Sequence, residues 1–589
     1  MIKLSKQVTY KNYNMNQLEF PMDISELIPE NHISRLINAI VEEIDDKELR
    51  NCYKGGGRSS YHPKVMLKVI IYAYTEKVTS GRRIAKMCRE NVPMMWLSAK
   101  QRPDFKTINR FRVNKKEIIN SVFEAIVLKL LELGEIDHSN YFLDGTKIEA
   151  NANKYSFVWA KSNQGYSEKA KTKVIEFLEE ASNISEEELL EADTVESMLD
   201  MKKLAQEILE DAREITSTEV AEITETLEKI KEEQIEQEAS KPRQRTIKKL
   251  HKKFKEDLLP RMQRYEKQKE ILGDRNSYSK TDTDATFMRM KDDHMKNGQL
   301  KAGYNIQTAT QNQYILFFTI HQNPGDTKTF ESHLEQLKIR GLINPERIIA
   351  DAGYGSETNY LYCLENNYEA LIPYNSFRKD GLKKTKKDTF NKINWHYDFE
   401  SDSYTCPNGR YLDFKKYKRY TDKYGYTRDI KVYECYDCSD CPLKKLCTKA
   451  KGNRTLETNP IYEELKARVR YSLLEDEEKK EIYSRRKIEI ESVFGNLKQN
   501  QAFTRFTLRG IEKVEVEFAL HAISHNIKKL AKSLINKGNL AQFLGNILTN
   551  FSFSIKNTRF RVAHSKSCVL FLTNLPFWVS PFFLCNKFM

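Results

Sequence analysis

Residues 141–151, with the sequence YFLDGTKIEAN, decide the fold of this chain. Three apolar residues lead into Asp144 and a glycine follows it, which is the pattern of a short buried strand that ends in a turn. Residues 346–356, ERIIADAGYGS, show the same pattern around Asp351. Two such strands predict an α/β sheet. Because ligands of these sheets collect at the carboxyl ends of the strands, the two aspartates are candidates for one common site.

A third acidic residue, Glu491, lies in a stretch with helical periodicity at residues 483–498, YSRRKIEIESVFGNLK. Its apolar stripe consists of Ile490, Val493, Phe494 and Leu497. Carboxylates are the hard oxygen ligands that Mg²⁺ prefers, and two such ions can bind the attacking and the leaving oxygen of a phosphoryl transfer. The three acids together therefore predict a two-metal site. Taken singly, each has a plainer interpretation, as a turn former or as a solvated helix residue.

Several stretches around these acids resemble the DDE-type transposases of bacterial insertion sequences. They are DGTKIEANA at 144–152, ADAGY at 350–354, the series Tyr483-x2-Arg486-x4-Glu491-x6-Lys498 and ALHAISHNIKKL at 519–530. Further matching stretches are YHPKVMLKVIIYAY at 61–74, RPDFKTINRFR at 102–112, KTDTDATFMR at 280–289 and KAGYNIQTAT at 301–310. The motifs follow the family's order from about Asp23 to Leu530.

This resemblance implies an α/β fold with an RNase H-like catalytic core that uses Mg²⁺ or Mn²⁺. It assigns catalysis and metal binding to Asp144, Asp351 and Glu491, and the binding of DNA phosphate to Tyr483, Arg486 and Lys498. The implied reaction is metal-dependent DNA cleavage at the ends of the element, followed by strand transfer into target DNA. Two other interpretations stay open, namely a nuclease of the same fold without strand transfer and an inactive or repurposed DNA-binding protein.

The chain departs from this family in one spacing. Three residues separate the arginine from the glutamate in the wider group, whereas four separate Arg486 from Glu491. Either Lys487 takes the arginine's place, or the alignment shifts and Glu489, with three residues between it and Arg485, becomes the ligand. In an α-helix Glu491 shares a face with Lys487, while Glu489 points about 200° away at about 100° per residue. Helix geometry therefore favours Glu491.

Length and charge agree with a protein that acts on DNA. The chain has 589 residues, a formal net charge of +14 and a pI near 9.0, which indicate several domains and an anionic partner. A Lys-rich, AT-biased genome is the alternative explanation of the charge. The start of the chain has no signal-peptide pattern, so we expect a cytoplasmic protein that acts at the nucleoid, without a membrane partner. The expected partner is double-stranded DNA, both the terminal inverted repeats and the target. Because two ends must be cut, a homodimer or larger assembly is expected on that DNA.

The N-terminal region predicts helices with basic faces, in a spacing like that of a helix-turn-helix. The basic residues set among apolar ones are Arg82, Arg83, Lys86, Arg110, Arg112, Lys115 and Lys116. We expect DNA contact from this region, with Arg82, Arg83, Arg110 and Arg112 as the main candidates. A solvated basic surface is the alternative.

Two insertions interrupt the predicted core. Residues 161–275 are rich in charged helix formers, acidic in the first half and basic in the second, and predict an antiparallel helical hairpin that grips DNA, mediates dimerisation or serves only as a spacer. The second insertion holds five cysteines, Cys406, Cys435, Cys438, Cys441 and Cys447. Their repeated C-x2-C spacing favours a structural Zn²⁺ site of four thiolates over unligated cysteines.

These patterns divide the chain as follows. The segments are a helical DNA-binding domain at 1–135, the first core strand at 136–160, the helical insertion at 161–275, continued core at 276–373, the Cys-rich insertion at 374–460, core helices at 461–535 and a tail at 536–589. The tail is apolar but broken by Asn574, Pro576 and Pro581, so it is a poor membrane span and suggests an aberrant extension. Two further acids near the core, Asp284 and Asp326, are interpreted as turn formers and helix caps.

Overall fold

The computed structural model describes residues 23–45, 60–182, 195–210, 215–236, 241–290, 298–422 and 425–538, together with the single residues 49, 540 and 543. Within these residues the chain has a mixed α/β fold, which confirms the predicted class at that level. Most of the tail at 536–589 lies outside the described residues. Among the described helices there is none whose length and apolar character would suit a membrane span.

The N-terminal part is helical, as predicted. Its α-helices are α1 (Ile33–Glu42), α2 (Pro63–Thr75), α3 (Gly81–Glu90), α4 (Val92–Leu97), α5 (Phe105–Asn114) and α6 (Lys116–Glu132). Helix α2 begins at Pro63, whose missing N–H group costs nothing in a first turn, and the side chain of His62 accepts a hydrogen bond from the Lys64 N–H. Nearly every side chain of α2 is buried, as its continuous apolar run predicts.

The central sheet is built around β1. The strands of the chain are β1 (Asn140–Glu149), β2 (Phe157–Trp159), β3 (Ser277–Ser279), β4 (Thr286–Arg289), β5 (Leu300–Gln311), β6 (Tyr314–His321), β7 (Arg347–Ile349), β8 (Glu369–Leu371), β9 (His396–Asp398), β10 (Ser403–Thr405), β11 (Tyr411–Thr421), β12 (Thr427–Cys435) and β13 (Thr455–Thr458). Strand β1 pairs antiparallel with β5 on one side and parallel with β7 on the other, and β8 continues the parallel half. On its other edge β5 pairs antiparallel with β4 and with β6.

A tight hairpin joins β5 to β6 at a polar interruption, Gln311–Gln313, between two runs of strand-forming residues. Asn312 and Gln313 at its tip have φ values of 47° and 60°. Two successive residues with positive φ give the kind of turn that matches the twist of an antiparallel pair. Strands β2 and β3 form a separate two-stranded ribbon, and a long helical segment lies between them in the chain.

The helical segment between β2 and β3 forms an arm with a core of its own. Its described helices are α7 (Ala160–Ser182), α8 (Val195–Glu210), α9 (Ser217–Glu236), α10 (Lys241–Lys253) and α11 (Leu259–Leu272), with a π-helical turn, Phe254–Leu258, between the last two. Their buried apolar side chains include Val174, Leu178, Val220, Ile223, Leu227, Ile230, Phe254, Leu258 and Met262. The arm has more helices than the simple antiparallel hairpin expected from the charge pattern: α7 packs against both α8 and α11, and α9 contacts α10 and α11. A single hairpin would leave an apolar side of each helix uncovered, and the bundle buries it.

The remaining helices cover the sheet or lie in the C-terminal part. They are α12 (Thr329–Arg340), α13 (Glu357–Glu365), α14 (Phe377–Asp380), α15 (Lys383–Lys387), α16 (Lys444–Cys447), α17 (Pro460–Arg470), α18 (Glu477–Ser484), α19 (Ser492–Gly495) and α20 (Ile511–Asn536). Helix α20 packs against α2, α6 and β6, so one continuous hydrophobic core joins the N-terminal helices to the sheet. Strands β9 to β13 form a second antiparallel sheet that carries the cysteines.

Helix α20 is capped from a distant part of the chain. The carboxylates of Asp282 and Asp284 accept hydrogen bonds from the backbone N–H groups of Gly510 (3.1 Å) and Ile511 (2.9 Å). Negative charge at a helix N-terminus is favourable because the first N–H groups have no partner within the helix. Asp284 is thus a helix cap, as expected from the sequence.

Candidate functional site

Asp144 and Asp351 lie equally far beyond the last residues that pair β1 with β7, which are Phe142 and Ile349. Asp144 lies two residues further on within β1, which continues to Glu149, whereas Asp351 lies two residues beyond Ile349 and outside β7. The prediction that the first strand ends in a turn at Asp144 is therefore wrong, because Gly145 and the residues after it stay paired with β5. Residues two apart point to the same side of a strand, so this register favours placing both carboxylates on one side of the sheet. Asp144 is 5% exposed and its Oδ1 accepts a hydrogen bond from the Gly145 N–H at 2.8 Å. The meeting of the two aspartates in one metal site stays a prediction.

The Asp351 carboxylate is held by the turn that follows it. Its Oδ1 accepts a hydrogen bond of 2.8 Å from the Gly353 N–H, and the segment Ala352–Tyr354 forms a short 3₁₀ turn. The side chain therefore caps its own turn and remains partly exposed at the end of β7. An Asp-x-Gly sequence is suited to this geometry because the short carboxylate reaches a backbone N–H two residues on.

Arg486 connects Asp144 to Glu491. Its guanidinium Nη1 lies 3.7 Å from Oδ2 of Asp144, and its Nη2 lies 3.3 Å from Oε1 of Glu491. The Asp144 and Arg486 side chains are 7% and 14% exposed, whereas the Glu491 side chain is 52% exposed. A carboxylate as buried as Asp144 needs a nearby positive charge, and Arg486 supplies one. The arginine therefore brings the third acid to the side of the first.

A π-helical turn makes this contact possible. Residues Lys487–Glu491 form one wide turn, which is followed by α19 and by a second π-helical turn, Asn496–Asn500. In an α-helix side chains four apart are neighbours, whereas in a π-helical turn side chains five apart take that relationship. Arg486 and Glu491 are five apart. The extra residue in the Arg-to-Glu spacing is thus accommodated inside the turn, and the pair meets as it would with one residue fewer in an α-helix.

The other candidate, Glu489, lies in a different environment. It is 4% exposed, with Oε1 at 3.1 Å from Nη2 of Arg485 and Oε2 accepting a hydrogen bond of 2.9 Å from the Gln313 N–H. Its backbone carbonyl also accepts the hydroxyl of Thr310 on β5. Glu489 therefore anchors the π-helical turn to the β5–β6 hairpin. The angle of about 200° expected between Glu489 and Glu491 in an α-helix does not apply here, because both residues lie in the π-helical turn.

Tyr483 shares the surroundings of Arg486 and Asp351. Burial raises the pKa of the Tyr483 phenol, the positive charge of Arg486 lowers it, and the negative charge of Asp351 raises it. The phenol therefore lies within electrostatic reach of both residues. Lys498 is partly exposed in the second π-helical turn. The structure thus gathers Tyr483, Arg486 and Glu491 on the helical side of the site.

Asp326 is a further acid at this site, one that sequence reasoning interpreted only as a turn former or cap. Its Oδ1 accepts hydrogen bonds from Asn305 Nδ2 (2.7 Å) and Gln307 Nε2 (3.0 Å), both on β5. A Cβ atom added to Gly145 would overlap Asp326 Oδ1, so the glycine after Asp144 makes room for this carboxylate. The available signal was the pair of amides Asn305 and Gln307, buried polar residues that require partners.

The loop that carries Asp326 also holds the turn after Asp351. The Thr327 hydroxyl donates to the Gly353 carbonyl at 2.6 Å, and the Tyr354 hydroxyl donates to Gln307 Oε1. Burial raises the pKa of Tyr354, and the charges of Asp144, Asp326 and Asp351 raise it further. These contacts tie the segments after Asp144 and Asp351 to one buried hydrogen-bond network.

The donor atoms suit a hard divalent cation, but they are not gathered around one. Carboxylate oxygens from β1, from the end of β7 and from the π-helical turn are the ligand type that Mg²⁺ and Mn²⁺ prefer. Within the described residues, however, no three His, Cys, Asp or Glu side chains are close enough to hold a metal ion. The guanidinium of Arg486 lies between Asp144 and Glu491.

The N-terminal basic residues divide into surface and interior groups. Arg82, Arg83 and Arg110 are exposed on α3 and α5. Arg112 is 3% exposed, and its guanidinium donates hydrogen bonds to the Tyr74 hydroxyl (3.0 Å), the Thr79 carbonyl (2.7 Å) and Asn109 Oδ1 (2.6 Å). Arg112 therefore holds α2, the following loop and α5 together and does not face solvent. The burial of Arg112 could not be predicted from the sequence, because helical spacing alone does not distinguish a solvated arginine from a buried one.

The other basic residues of this region are also mixed. Lys86 is exposed and lies 3.5 Å from Glu90 of its own helix. Lys116 forms an ion pair of 2.7 Å with Glu515 of α20, so it helps to join the N-terminal helices to the core. Lys115 is partly exposed at the start of α6.

The cysteines lie together without forming a closed metal shell. Cys406, Cys435, Cys438 and Cys447 belong to one small apolar cluster of the second sheet, while Cys441 is partly exposed. Burial and the neighbouring Cys438 raise the pKa of the Cys435 thiol to about 12. The described part of the chain contains no Cys grouping with metal-site geometry, so the zinc site stays a prediction. Metal analysis of the purified chain is its test.

Comparison with known families gives two matches. Residues 405–531 match a family model described as a transposase DDE domain, and residues 22–114 match one described as a transposase domain, DUF772. The first match includes Tyr483, Arg486, Glu491 and Lys498, whereas Asp144 and Asp351 lie outside both matched ranges. No curated protein and no solved structure matches the chain.

Proposed function

The chain belongs to the DDE-type insertion-sequence transposases, and on that premise we propose that it cleaves DNA at the ends of its element and transfers the freed strand to target DNA. The observation that carries the proposal is the arrangement of the three acids. Asp144 and Asp351 each lie two residues beyond the last pair that joins β1 to β7, and Arg486 joins Glu491 to Asp144. Three separate segments of the chain thus supply carboxylates to one region.

The strand order supports an RNase H-like catalytic core. Taken in chain order and without the short β4, the strands of the central sheet are β1, β5, β6, β7 and β8, and they lie side by side as β6-β5-β1-β7-β8. The first three are antiparallel neighbours and the last two are parallel to β1. An RNase H-like sheet has this order, third-second-first-fourth-fifth. The helical arm and the second sheet are then insertions into the core.

In this proposal Asp144, Asp351 and Glu491 hold Mg²⁺ or Mn²⁺. The bound ion supplies Lewis-acid activation of the nucleophile and charge stabilisation at the phosphate. Asp144 is fixed by burial and by the adjacent backbone, whereas Glu491 is exposed enough to move toward a ligand. Arg486 stabilises the carboxylates of Asp144 and Glu491 when no ion is bound, and its planar guanidinium can form bidentate hydrogen bonds to a phosphate.

Tyr483 and Lys498 complete the phosphate-binding side of the proposed site. The Tyr483 phenol lies within electrostatic reach of Arg486 and Asp351 and keeps its proton at neutral pH, so it can donate a hydrogen bond to a phosphate oxygen. Lys498 provides a point charge on a flexible stem. Both groups position the DNA strand without taking part in bond making.

The N-terminal helices are the proposed DNA-recognition part. Arg82 and Arg83 of α3 and Arg110 of α5 are exposed, as is Lys86, and α3 packs closely on α5 with Gly81 against Asn109. Two packed helices with exposed cations are suited to a DNA groove and its phosphates. Arg112 has no place in this contact because it is buried. Because two element ends must be cut, the working complex is proposed to be at least a dimer on DNA, with action at the bacterial nucleoid.

A test separates this proposal from its two alternatives. The purified chain is incubated with Mg²⁺ or Mn²⁺ and a duplex that carries the inverted repeats flanking its reading frame, alongside the Asp144→Ala variant. Metal-dependent cutting at the repeat ends and joined products, both absent from the variant, support the transposase. Cutting without joining points to a nuclease of the same fold, and binding without cutting points to an inactive or repurposed DNA-binding protein.

A further inference from the structure

One helix of the arm carries a dense positive surface that the proposed catalytic site does not use. Within its bounds α10 has no acidic residue, and its cations are Lys241, Arg243, Arg245, Lys248, Lys249, Lys252 and Lys253. All of these except Arg243, whose side chain is not described, are exposed. The cations of such a surface are either hydrated or bound to an anionic partner.

The exposed cations of α10 lie on one side of the helix. Their offsets from Lys241 are 0, 4, 7, 8, 11 and 12 residues, which at about 100° per residue places them within an arc of roughly 140°. The opposite side carries the partly buried Ile247 and the buried His251, and it continues into Phe254 of the arm's core. The helix is therefore fixed by its apolar side and presents a basic face about 18 Å long.

Most of this charge is not neutralised by the arm itself. Within the described part of the chain Lys252 lies 3.8 Å from Glu256, an exposed pair, while Arg245, Lys248, Lys249 and Lys253 have no ion pair. Glu228 of the neighbouring α9 is directed to Lys255 and His251 instead. Most of the positive charge on the basic face is therefore available to an external anionic partner.

We infer that the basic face of α10, defined by Lys241, Arg245, Lys248, Lys249, Lys252 and Lys253, binds the phosphate backbone of double-stranded DNA without reading its sequence. The inference rests on the proposed function, because it assumes a DNA substrate, and it adds a second contact apart from the N-terminal helices. Duplex DNA carries one negative charge per about 1.7 Å of its axis, so a rigid row of cations about 18 Å long is complementary to it. Lysine ammonium groups are point charges that bind phosphates, and the face has no aromatic side chain that could stack on a base.

The test neutralises the face in the full-length chain. Lys248, Lys249, Lys252 and Lys253 are replaced together by Gln, and the binding of two labelled duplexes, one with the inverted repeat and one of scrambled sequence, is measured at about 50 to 200 mM salt without metal. A matched control replaces four exposed lysines elsewhere on the same arm by Gln, namely Lys161, Lys169 and Lys173 of α7 and Lys203 of α8. Circular dichroism melting of each variant verifies that the arm remains folded.

The expected result is a loss of affinity of about 10-fold or more for both duplexes, with the slope of log K against log salt reduced in magnitude by roughly 2 to 4. The matched control keeps wild-type affinity and slope. Unchanged binding in the α10 variant overturns the inference, and so does a loss confined to the repeat duplex. A change in oligomeric state by light scattering, with DNA binding intact, overturns it in favour of self-association. Because binding is read without metal, a chain that binds but never cuts leaves this inference standing while the proposed function fails.

Discussion

The guanidinium of Arg486 lies 3.7 Å from the carboxylate of Asp144, and both side chains are largely buried. The same guanidinium reaches Glu491 at 3.3 Å. The arginine is thus a counter-charge of Asp144, which lies in the middle of β1. The most direct predictions concern this contact and the turn that creates it.

Replacing Arg486 by Gln should destabilise the metal-free protein. The buried Asp144 carboxylate would lose its positive neighbour, at a cost of about 2 kcal/mol. The measurement is the apparent melting temperature in chelator. Addition of Mg²⁺ should restore part of the loss in the variant, and the double variant with Asp144→Asn should melt above R486Q alone. As a control, R468Q removes an ion pair whose partners are 61% and 66% exposed, and it should change stability by less than about 0.5 kcal/mol. Equal melting of R486Q and wild type in chelator would contradict the proposed charge balance.

Glu489 and Glu491 should respond oppositely to substitution by Gln. E491Q should lower metal-dependent cleavage about 100-fold or more, equivalent to roughly 2.7 kcal/mol, and leave melting nearly unchanged because the side chain is 52% exposed. E489Q should lower the melting temperature, because it weakens contacts to Arg485 and the Gln313 N–H, and should spare metal-dependent chemistry in the fraction that is folded. Loss of cleavage in a well-folded E489Q together with an active E491Q would reverse the assignment.

The glycine after Asp144 should be intolerant of a side chain. In G145A the new methyl group overlaps the Asp326 carboxylate and Gln307, with an expected cost of about 1–3 kcal/mol in the free energy of unfolding. Combining it with D326A removes the main clash, so the double variant should lose less than the sum of the single losses. G165A is a suitable reference, since a Cβ there meets nothing within 4 Å and the residue lies within α7. Strict additivity of G145A and D326A in denaturant melts would speak against the packing of Asp326 on β1.

Acid should destabilise the fold through buried histidines. Burial lowers the pKa of His521 to about 3 and the pKa values of His525 and His321 to about 4. The unfolded chain takes up these protons below its ordinary pKa of 6.5, while the folded chain does so only near pH 3–4, so this contribution is complete above pH 6.5 and falls as the pH drops toward 4. Glu43, whose pKa burial raises to about 7, acts in the opposite direction.

Melting curves between pH 7.5 and 4.5 provide the measurement. The wild-type melting temperature should fall toward acid, and it should fall less in H521Q, which cannot take up that proton on unfolding. The variant is compared at each pH with its own value at pH 7.5, so that any lost packing cancels. If the melting temperature of H521Q fell toward acid as steeply as that of the wild type, His521 would not contribute to the acid destabilisation.

Parts of the fold followed from sequence because they depend on local patterns. The strand before Asp351, the β5–β6 hairpin and the apolar helix after Pro63 have apolar runs or turn residues that fix them nearly alone. The end of the first strand does not follow from such a pattern, because pairing with β5 extends β1 past Gly145 to Glu149. The π-helical turn could not be predicted in this way. It is fixed by tertiary contacts, since Glu489 is anchored to the β5–β6 hairpin while the apolar residues that follow remain in the core.

The same limit explains the residues that were misplaced or missed. Arg112 has an ordinary helical spacing, and only the approach of Tyr74 and Thr79 shows that it is interior. The position of Asp326 depends on the space beside Gly145 and on hydrogen bonds from the β5 amides, which come from distant parts of the chain. The arm's charge pattern suggested a hairpin, but the number of helices that share its core depends on how their apolar sides meet.

Helix α20 fixes the distance between the N-terminal helices and the central sheet. Lys116 and Asn120 of α6 contact Glu515 on this helix, the Lys528 ammonium donates to the Thr75 carbonyl at the end of α2, and the Asn526 amide is bonded to Ile315 of β6. The N-terminal helices and the sheet therefore cannot swing independently about a linker. If DNA is recognised at the first and cut at the second, the number of base pairs between the recognised sequence and the broken bond is set by the length and packing of one helix.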